Sequence, residues 1–375
     1  MARKAFDEPA AIPPELRLPP IPRWDDIIGQ TQAVDLLQSV LASGNIHHAW
    51  IFHGPRGVGK FTTALAFAAA LMDDSTAPTL SGVIEPDPDS PTQQRLAAGA
   101  HPDLHIIRKE LAQYHHDANV RSRKLASFPI DVIRDSLLEP AHRAAMIASS
   151  ALASKVFIVD EAELLDRSLS NAPVQNALLK TLEEPPVGTV IILLTTSEDR
   201  LLPTVRSRSQ RVGFRALTDA EMKECIRRQN LQVPAEGHAW MLDFAQGSPG
   251  RLVEALDSGM YQWHQTLAPI LRELKPGGSI FNLGPIANQL IQNYATAWAD
   301  ARPNRSKEAA NRVAARNVLS ILSQRIRPQL RDAATADWAS MAIMRIEQTE
   351  RELASNVQPS LAFDALAADL TVTLG

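Results

Sequence analysis

The sequence predicts an α/β domain built on a parallel sheet, followed by a small helical lid and a C-terminal helical bundle. Three features carry this reading. Four apolar runs, Trp50-Ile51-Phe52, His105-Ile106-Ile107, Val156-Phe157-Ile158-Val159 and Val190-Ile191-Ile192-Leu193-Leu194, alternate with amphipathic stretches, as buried parallel strands covered by helices do. A glycine-bearing loop, Gly54 to Gly59, joins the first run to an alanine-rich helix. After Phe214 the apolar runs stop and only helical periodicity continues.

In chain order, residues 1–23 hold Pro13, Pro14, Pro19, Pro20 and Pro22, a density that suits an extended tail. The sheet domain is expected over 24–213. Within it 73–99, with Asp87-Pro88-Asp89-Ser90-Pro91 and little periodicity, reads as a surface insertion. Thr218-Asp219-Ala220-Glu221 has the form of a capping box, and Ser248-Pro249 places a capping serine before a proline at the first helical position. These two starts predict the helical lid over 214–260. The bundle is expected over 261–375, with one apolar stripe at Ala314, Val318, Ile321 and Leu322 and another at Trp338, Ala342 and Ile346. Lys275-Pro276-Gly277-Gly278 and Arg302-Pro303-Asn304 punctuate it.

Composition narrows the function. With 38 Lys and Arg against 42 Asp and Glu, the formal net charge is -4, so no global basic field draws the chain to DNA or to an anionic membrane. DNA contact has to be local or shared with partners. The single cysteine, Cys225, excludes a disulfide framework and an all-cysteine zinc cage, and it reads as an ordinary helix residue. The start, Met1-Ala2-Arg3-Lys4, lacks the apolar core of a signal peptide, and no run approaches the ~20 residues of a membrane span. A cytoplasmic protein is expected.

The chemistry concentrates on Gly54-Pro55-Arg56-Gly57-Val58-Gly59-Lys60, a phosphate-binding loop in the strand-to-helix context that such loops require. Gly54, Gly57 and Gly59 let backbone N–H groups converge on phosphate oxygens, the helix N-terminus adds partial positive charge, and Lys60 adds a full one. The residue that follows departs from the pattern. Where a Ser or Thr hydroxyl should reach magnesium stands Phe61, and a phenyl ring cannot ligate a metal. Thr62, the next hydroxyl, lies about 100° further around the helix. The second strand delivers Asp160 and Glu161 to the carboxyl end of the sheet, the first suited to holding magnesium through water and the second to polarising an attacking water. ATP is therefore the ligand that the loop implies, while Phe61 counts against it and against magnesium.

Four further segments make the resemblance specific: Trp24-Asp25-Asp26-Ile27-Ile28-Gly29-Gln30, Gly44-Asn45-Ile46-His47-His48-Ala49-Trp50, Asn176 to Pro186, and Leu202-Pro203-Thr204-Val205-Arg206-Ser207-Arg208-Ser209. Together they resemble the AAA+ class and, within it, the delta-prime family of bacterial DNA polymerase III clamp loaders, with the motor subunits of the same complex next. The last segment is similar to that family's Ser-Arg-Cys motif, with Ser209 in place of cysteine.

The resemblance implies that the first segment packs near adenine, that Thr196 is the polar sensor of the terminal phosphate with Thr195 as the alternative, and that Arg251 reaches phosphate from the lid. It implies that Arg208 acts in trans, projecting into a neighbouring subunit's ATP site while Arg206 stays on the surface; Glu161 is left as either a working or a vestigial catalytic acid. The implied partners are the motor and delta subunits, the sliding clamp, and primer-template DNA met through the assembled complex. His101-Pro102-Asp103-Leu104-His105 resembles the sequence that follows the family's zinc module, but the cysteines are missing, so no zinc is expected and both histidines read as structural. Arg121-Ser122-Arg123-Lys124 reads as a solvated basic loop, and Asp131 to Arg134 lies where the resemblance implies an approach to duplex backbone. Two other functions stay open: the ATP-hydrolysing motor itself, and a different AAA+ remodeller.

Overall fold

The computed structural model describes residues 20–123, 127–301, 307–354 and 357–372. Most of the expected proline-rich tail, Lys124 of the basic run and the Arg302-Pro303-Asn304 break lie outside them. The chain forms two compact units, 1–231 with 246–250 and 232–245 with 251–375.

In the N-terminal unit, β1 (Ala49–His53), β2 (Leu104–Ile107), β3 (Lys155–Val159), β4 (Thr189–Thr195) and β5 (Gln210–Gly213) form one sheet in the order β2-β3-β4-β1-β5. Every neighbouring pair is parallel. Four of these strands are the expected apolar runs. The fifth was not expected, because in Gln210-Arg211-Val212-Gly213 only Val212 is buried. An edge strand covered on one side has little apolar signal to read.

The central strands are apolar on both faces because both are covered. One face carries Ile51, Phe157, Val159, Ile191 and Leu193 into a cluster with Val174, Leu178 and Leu182 of the helix Pro173–Glu183. On the other, Trp50 meets Phe67 of the helix Lys60–Leu71 edge-on, with centroids 5.3 Å apart. That helix is buried from Thr63 to Leu71 and packs against β1, β4 and the helix Thr31–Ser43. Its run of alanines follows from this, since close packing on several sides leaves room only for small residues.

The 73–99 segment has regular structure of its own. It contains a two-stranded ribbon, Ala77–Pro78 with Ile84–Glu85, and a helix, Pro91–Ala97, whose N-cap Ser90 accepts the Gln93 N–H. Asp73 anchors it. Burial would raise that carboxyl's pKa, but donors from Ser75, Ser90 and Gln93 outweigh burial and hold it low. This polar network has no hydrophobic period, which is why the sequence reads as irregular there.

Beyond the sheet, Thr218 caps the helix Asp219–Arg228 through the expected box, its N–H reaching Glu221 at 2.7 Å and its hydroxyl accepting the Glu221 N–H at 3.3 Å. Cys225 is buried in that helix. The division between units cuts through the 214–260 stretch. Asp219–Arg228 and 246–250 go with the sheet, whereas 232–245 and 251–260 go with the bundle.

In the C-terminal unit the helices Leu283–Ala301, Lys307–Ile326, Ala336–Ala354 and Pro359–Val372 close on one another, each packed against two of the others. Both expected stripes point inward: Ala314, Val318, Ile321 and Leu322 are buried, as are Trp338, Ala342 and Ile346. No helix among the described residues is long and apolar enough to cross a membrane.

Gly54 joins β1 to the phosphate loop at φ 144°, and a Cβ there would lie 2.2 Å from the Phe214 carbonyl oxygen. Gly54→Ala is therefore expected to lower the unfolding free energy by about 2 kcal/mol or more, from backbone strain together with the clash. Urea titration measures this, and an unchanged midpoint would contradict it.

Candidate nucleotide site

The parallel sheet gathers the carboxyl ends of β1, β3 and β4, and the expected site residues of the N-terminal unit stand there, apart from Arg208. After His53 the loop turns through Gly54, Gly57 and Gly59, all at positive φ, and Gly59 is the N-cap of the helix that starts at Lys60. The loop is tied down from outside. Gly54 donates its N–H to the Thr195 carbonyl at 3.2 Å, and the buried Gln30 donates to the Val58 and Arg215 carbonyls at 3.1 and 2.8 Å. Gln30 closes the segment that resemblance placed near adenine, and its side chain braces the loop. Ser248 donates its hydroxyl to the Arg56 carbonyl at 2.8 Å, and the Gly250 N–H reaches the Gly57 carbonyl at 2.9 Å. The serine expected as a helix cap thus holds the tip of the loop.

Lys60 is buried and folds back, its Nζ 2.6 Å from both the Gly54 and Pro55 carbonyl oxygens. Burial pulls its pKa down to about 8, against the pull of Glu163 and Asp160 and with help from Arg56. Thr62 sits half-buried on the helix, while the Thr63 hydroxyl returns to the Gly59 carbonyl at 3.0 Å.

Asp160 follows β3 and receives its neighbour's N–H at 3.0 Å. Burial at the strand ends raises its pKa although a third of the side chain reaches solvent, and Arg108 opposes the rise from 3.4 Å. Glu161 comes next in the left-handed region, φ 51°, and its carboxylate is paired with Lys109. At the end of β4 the two threonines separate. Thr195 is buried with its hydroxyl on the Ser197 carbonyl, whereas Thr196 is exposed and donates its hydroxyl and N–H to Glu163 at 2.5 and 3.3 Å.

Sequence reasoning missed Arg108, Lys109 and Glu163. A signal existed for the first two, since they directly follow the predicted strand ending at Ile107. Which acid each would meet depends on strand order, and that no local pattern encodes.

A magnesium ion fits this residue set poorly. The hydroxyl position is Phe61, Asp160 faces a guanidinium, and Glu161 faces an ammonium. A triphosphate fits better, because the glycines, the helix N-terminus and Lys60 are in the arrangement that anions favour.

Arg208 stands elsewhere. It follows the short helix Pro203–Arg206 and precedes β5 by two residues, so it belongs to the amino end of a strand whose carboxyl end reaches the phosphate loop. Its guanidinium pairs with Glu183 at 2.9 Å and donates to the Thr204 carbonyl at 3.0 Å. Exposure does not separate it from Arg206 as expected: the side chains are 36% and 31% exposed, because Arg206 has its own partner in Asp199 at 3.2 Å. Arg251 belongs to the C-terminal unit, where its guanidinium carbon lies 4.9 Å from the centroid of the Phe244 ring.

Of the two motif histidines, His105 stacks on Phe157 at 4.6 Å, and the Nδ1 of His101 accepts the Asp103 N–H at 3.3 Å. Burial lowers the pKa of both. Asp103 between them receives the N–H groups of Met146 and Ile147. In the basic run, Arg121 donates to the His115 and His116 carbonyls and Arg123 pairs with Asp131 at 3.1 Å.

A phosphate loop after β1, an acid pair after β3 and a polar residue after β4 define a P-loop protein of the AAA+ class. The family model described as DNA polymerase III, delta subunit matches residues 29–218, half of the chain, and the chain belongs to that clamp-loader family. DNA polymerase III subunit tau of Bacillus subtilis is 32% identical over 64% of this chain and 36% of its own length. DNA polymerase III subunit delta' of Pseudomonas aeruginosa is 31% identical over 54% of this chain and 53% of its own. This chain thus spans only part of the curated relatives that it matches. A solved DNA polymerase III gamma subunit-related protein from Thermotoga maritima aligns over 89% of this chain and 98% of its own, at 15% identity and a TM-score of 0.43.

The lysine gives a pH test. The unfolded chain keeps Lys60 protonated up to its ordinary 10.5, the folded one only up to about 8, so between these values the unfolded state binds more protons. Stability rises with pH across that window, and below it the cost of burying the ammonium is present in full. Relative to Lys60→Met, the wild-type chain is expected to gain stability from pH 8 to 10.5 in paired denaturant titrations. A difference that stays flat would show that the charge is not buried.

Proposed function

We propose that the chain works as a delta-prime-like subunit of the DNA polymerase III clamp loader, taking part in ATP-driven loading of the sliding clamp by supplying Arg208 to a neighbouring ATPase subunit. What supports this reading is the place of Arg208. Because β1 and β5 are parallel, a four-residue strand and two more residues separate Arg208 from the level of its own phosphate loop. At about 3.3 Å per residue that is roughly 15–20 Å, too far for the arginine to serve its own site. A half-exposed guanidinium at that end, carried on a short helix and steadied by Glu183, suits a site completed by another chain. The partners that follow are the motor and delta subunits, the clamp, and primer-template DNA reached through the assembly, with the cytoplasm as the setting.

The rival reading, that this chain is itself the motor, draws on relatives named tau and gamma. Coordination chemistry weighs against it, since Phe61 removes a metal ligand and Lys109 holds the carboxylate that would polarise water. The isolated chain is expected to show negligible ATP turnover, and rapid magnesium-dependent hydrolysis would establish the motor reading instead.

In a loader reconstituted from the same organism's subunits, Arg208→Ala is expected to slow single-turnover hydrolysis at the adjoining site by ~10³-fold while the complex still assembles on gel filtration. Arg208→Lys should rescue little, since an ammonium lacks the planar fork. Unchanged hydrolysis in the alanine variant would remove the finger role.

A further inference from the structure

In a phosphate loop, magnesium is ordinarily gripped from two sides, by the hydroxyl that follows the lysine and by the acid at the end of the neighbouring strand. Here one side chain touches both positions. The guanidinium carbon of Arg108 lies 4.7 Å from the centroid of the Phe61 ring, and its Nε stands 3.4 Å from the Asp160 carboxylate. The two departures from the pattern explain each other. A phenyl ring offers a planar cation a flat, weakly negative seat that a serine or threonine could not, and the cation brings to Asp160 the positive charge that a metal would have brought. Along the same edge Glu161 is paired with Lys109, and Glu163 accepts the Thr196 hydroxyl.

We propose that Arg108 takes the place of the divalent cation in this phosphate loop, so that a nucleoside triphosphate binds here as a metal-free anion held by the 54–60 loop, Lys60 and Arg108. A guanidinium presents N–H donors along more than one edge, so it can keep a carboxylate while donating to phosphate oxygens beside it. When phosphate enters, Lys60 exchanges the Gly54 and Pro55 carbonyls for the more strongly bound anion. A free triphosphate carries more negative charge than its magnesium complex and leaves Arg108 in place, whereas the complex would bring a second cation against the first. The bound nucleotide is a structural ligand that bridges the loop and β2, and it is not turned over there.

The test is equilibrium binding of ATP bearing a ribose-linked fluorophore to the purified full chain, read by anisotropy, with chelator and with millimolar magnesium. Binding with chelator at least as tight as with magnesium is expected. Arg108→Gln, which keeps an uncharged planar end over the ring, should weaken binding in chelator by about tenfold. Tenfold tighter binding with magnesium, no binding under either condition, or an Arg108→Gln variant with unchanged affinity would each overturn the proposal. If that variant does not fold, the comparison on the wild-type chain still decides. The isolated chain suffices here, whereas the Arg208 reading is tested in the assembled complex, so the two can fail separately.

Discussion

Because β1 is hydrogen-bonded in parallel to β4 on one side and β5 on the other, the two chemically interesting ends of this unit are held apart. The loop that follows β1, the acids after β3 and the threonine after β4 collect at the carboxyl edge. Arg208, leading into β5, is left at the amino edge. Reversing β5 would carry Arg208 toward the chain's own phosphate loop. Parallel pairing requires a long crossover between strands, and these crossovers supply the helices that bury both faces.

The carboxyl edge is an electrostatic problem solved inside the chain. Asp160, Glu161 and Glu163 crowd the end of the sheet, where burial disfavours the charge of Asp160. Arg108 and Lys109, consecutive after β2, are matched to Asp160 and Glu161 because β2 and β3 are paired in register, Ile107 opposite Val159. Lys60 is buried against two carbonyls of its own loop. At this edge Asp160 and Glu161 are each met by a cation of the chain itself.

The 54–60 loop is supported from three directions: Gln30 from before β1, Thr195 from β4, and Ser248 with Gly250 from the segment after the capped helix. Segments distant in sequence hold a backbone that by itself has positive φ at three glycines. This also explains why 246–250 belongs to the sheet unit although the residues on either side belong to the bundle.

Much of this was legible along the chain because its cause is local. Strand periodicity, the glycines before Lys60, the Thr218 capping box and the inward stripes of the bundle are patterns within a few residues of one another, and each stands where periodicity and turn chemistry put it. Phe61 was equally plain as a missing ligand. What replaced it was not, since Arg108 comes from another strand and meets the phenyl ring and Asp160 only through sheet order. The pairing of Arg208 with Glu183 and the anchoring of the insertion through Asp73 were hidden for the same reason, and the edge strand β5 because only Val212 of it is buried. The sequence by itself determined the elements and the residue types at the phosphate loop. Only the tertiary structure decided which charges meet and which end of the sheet each occupies, because charge pairing acts across space between segments that share no period.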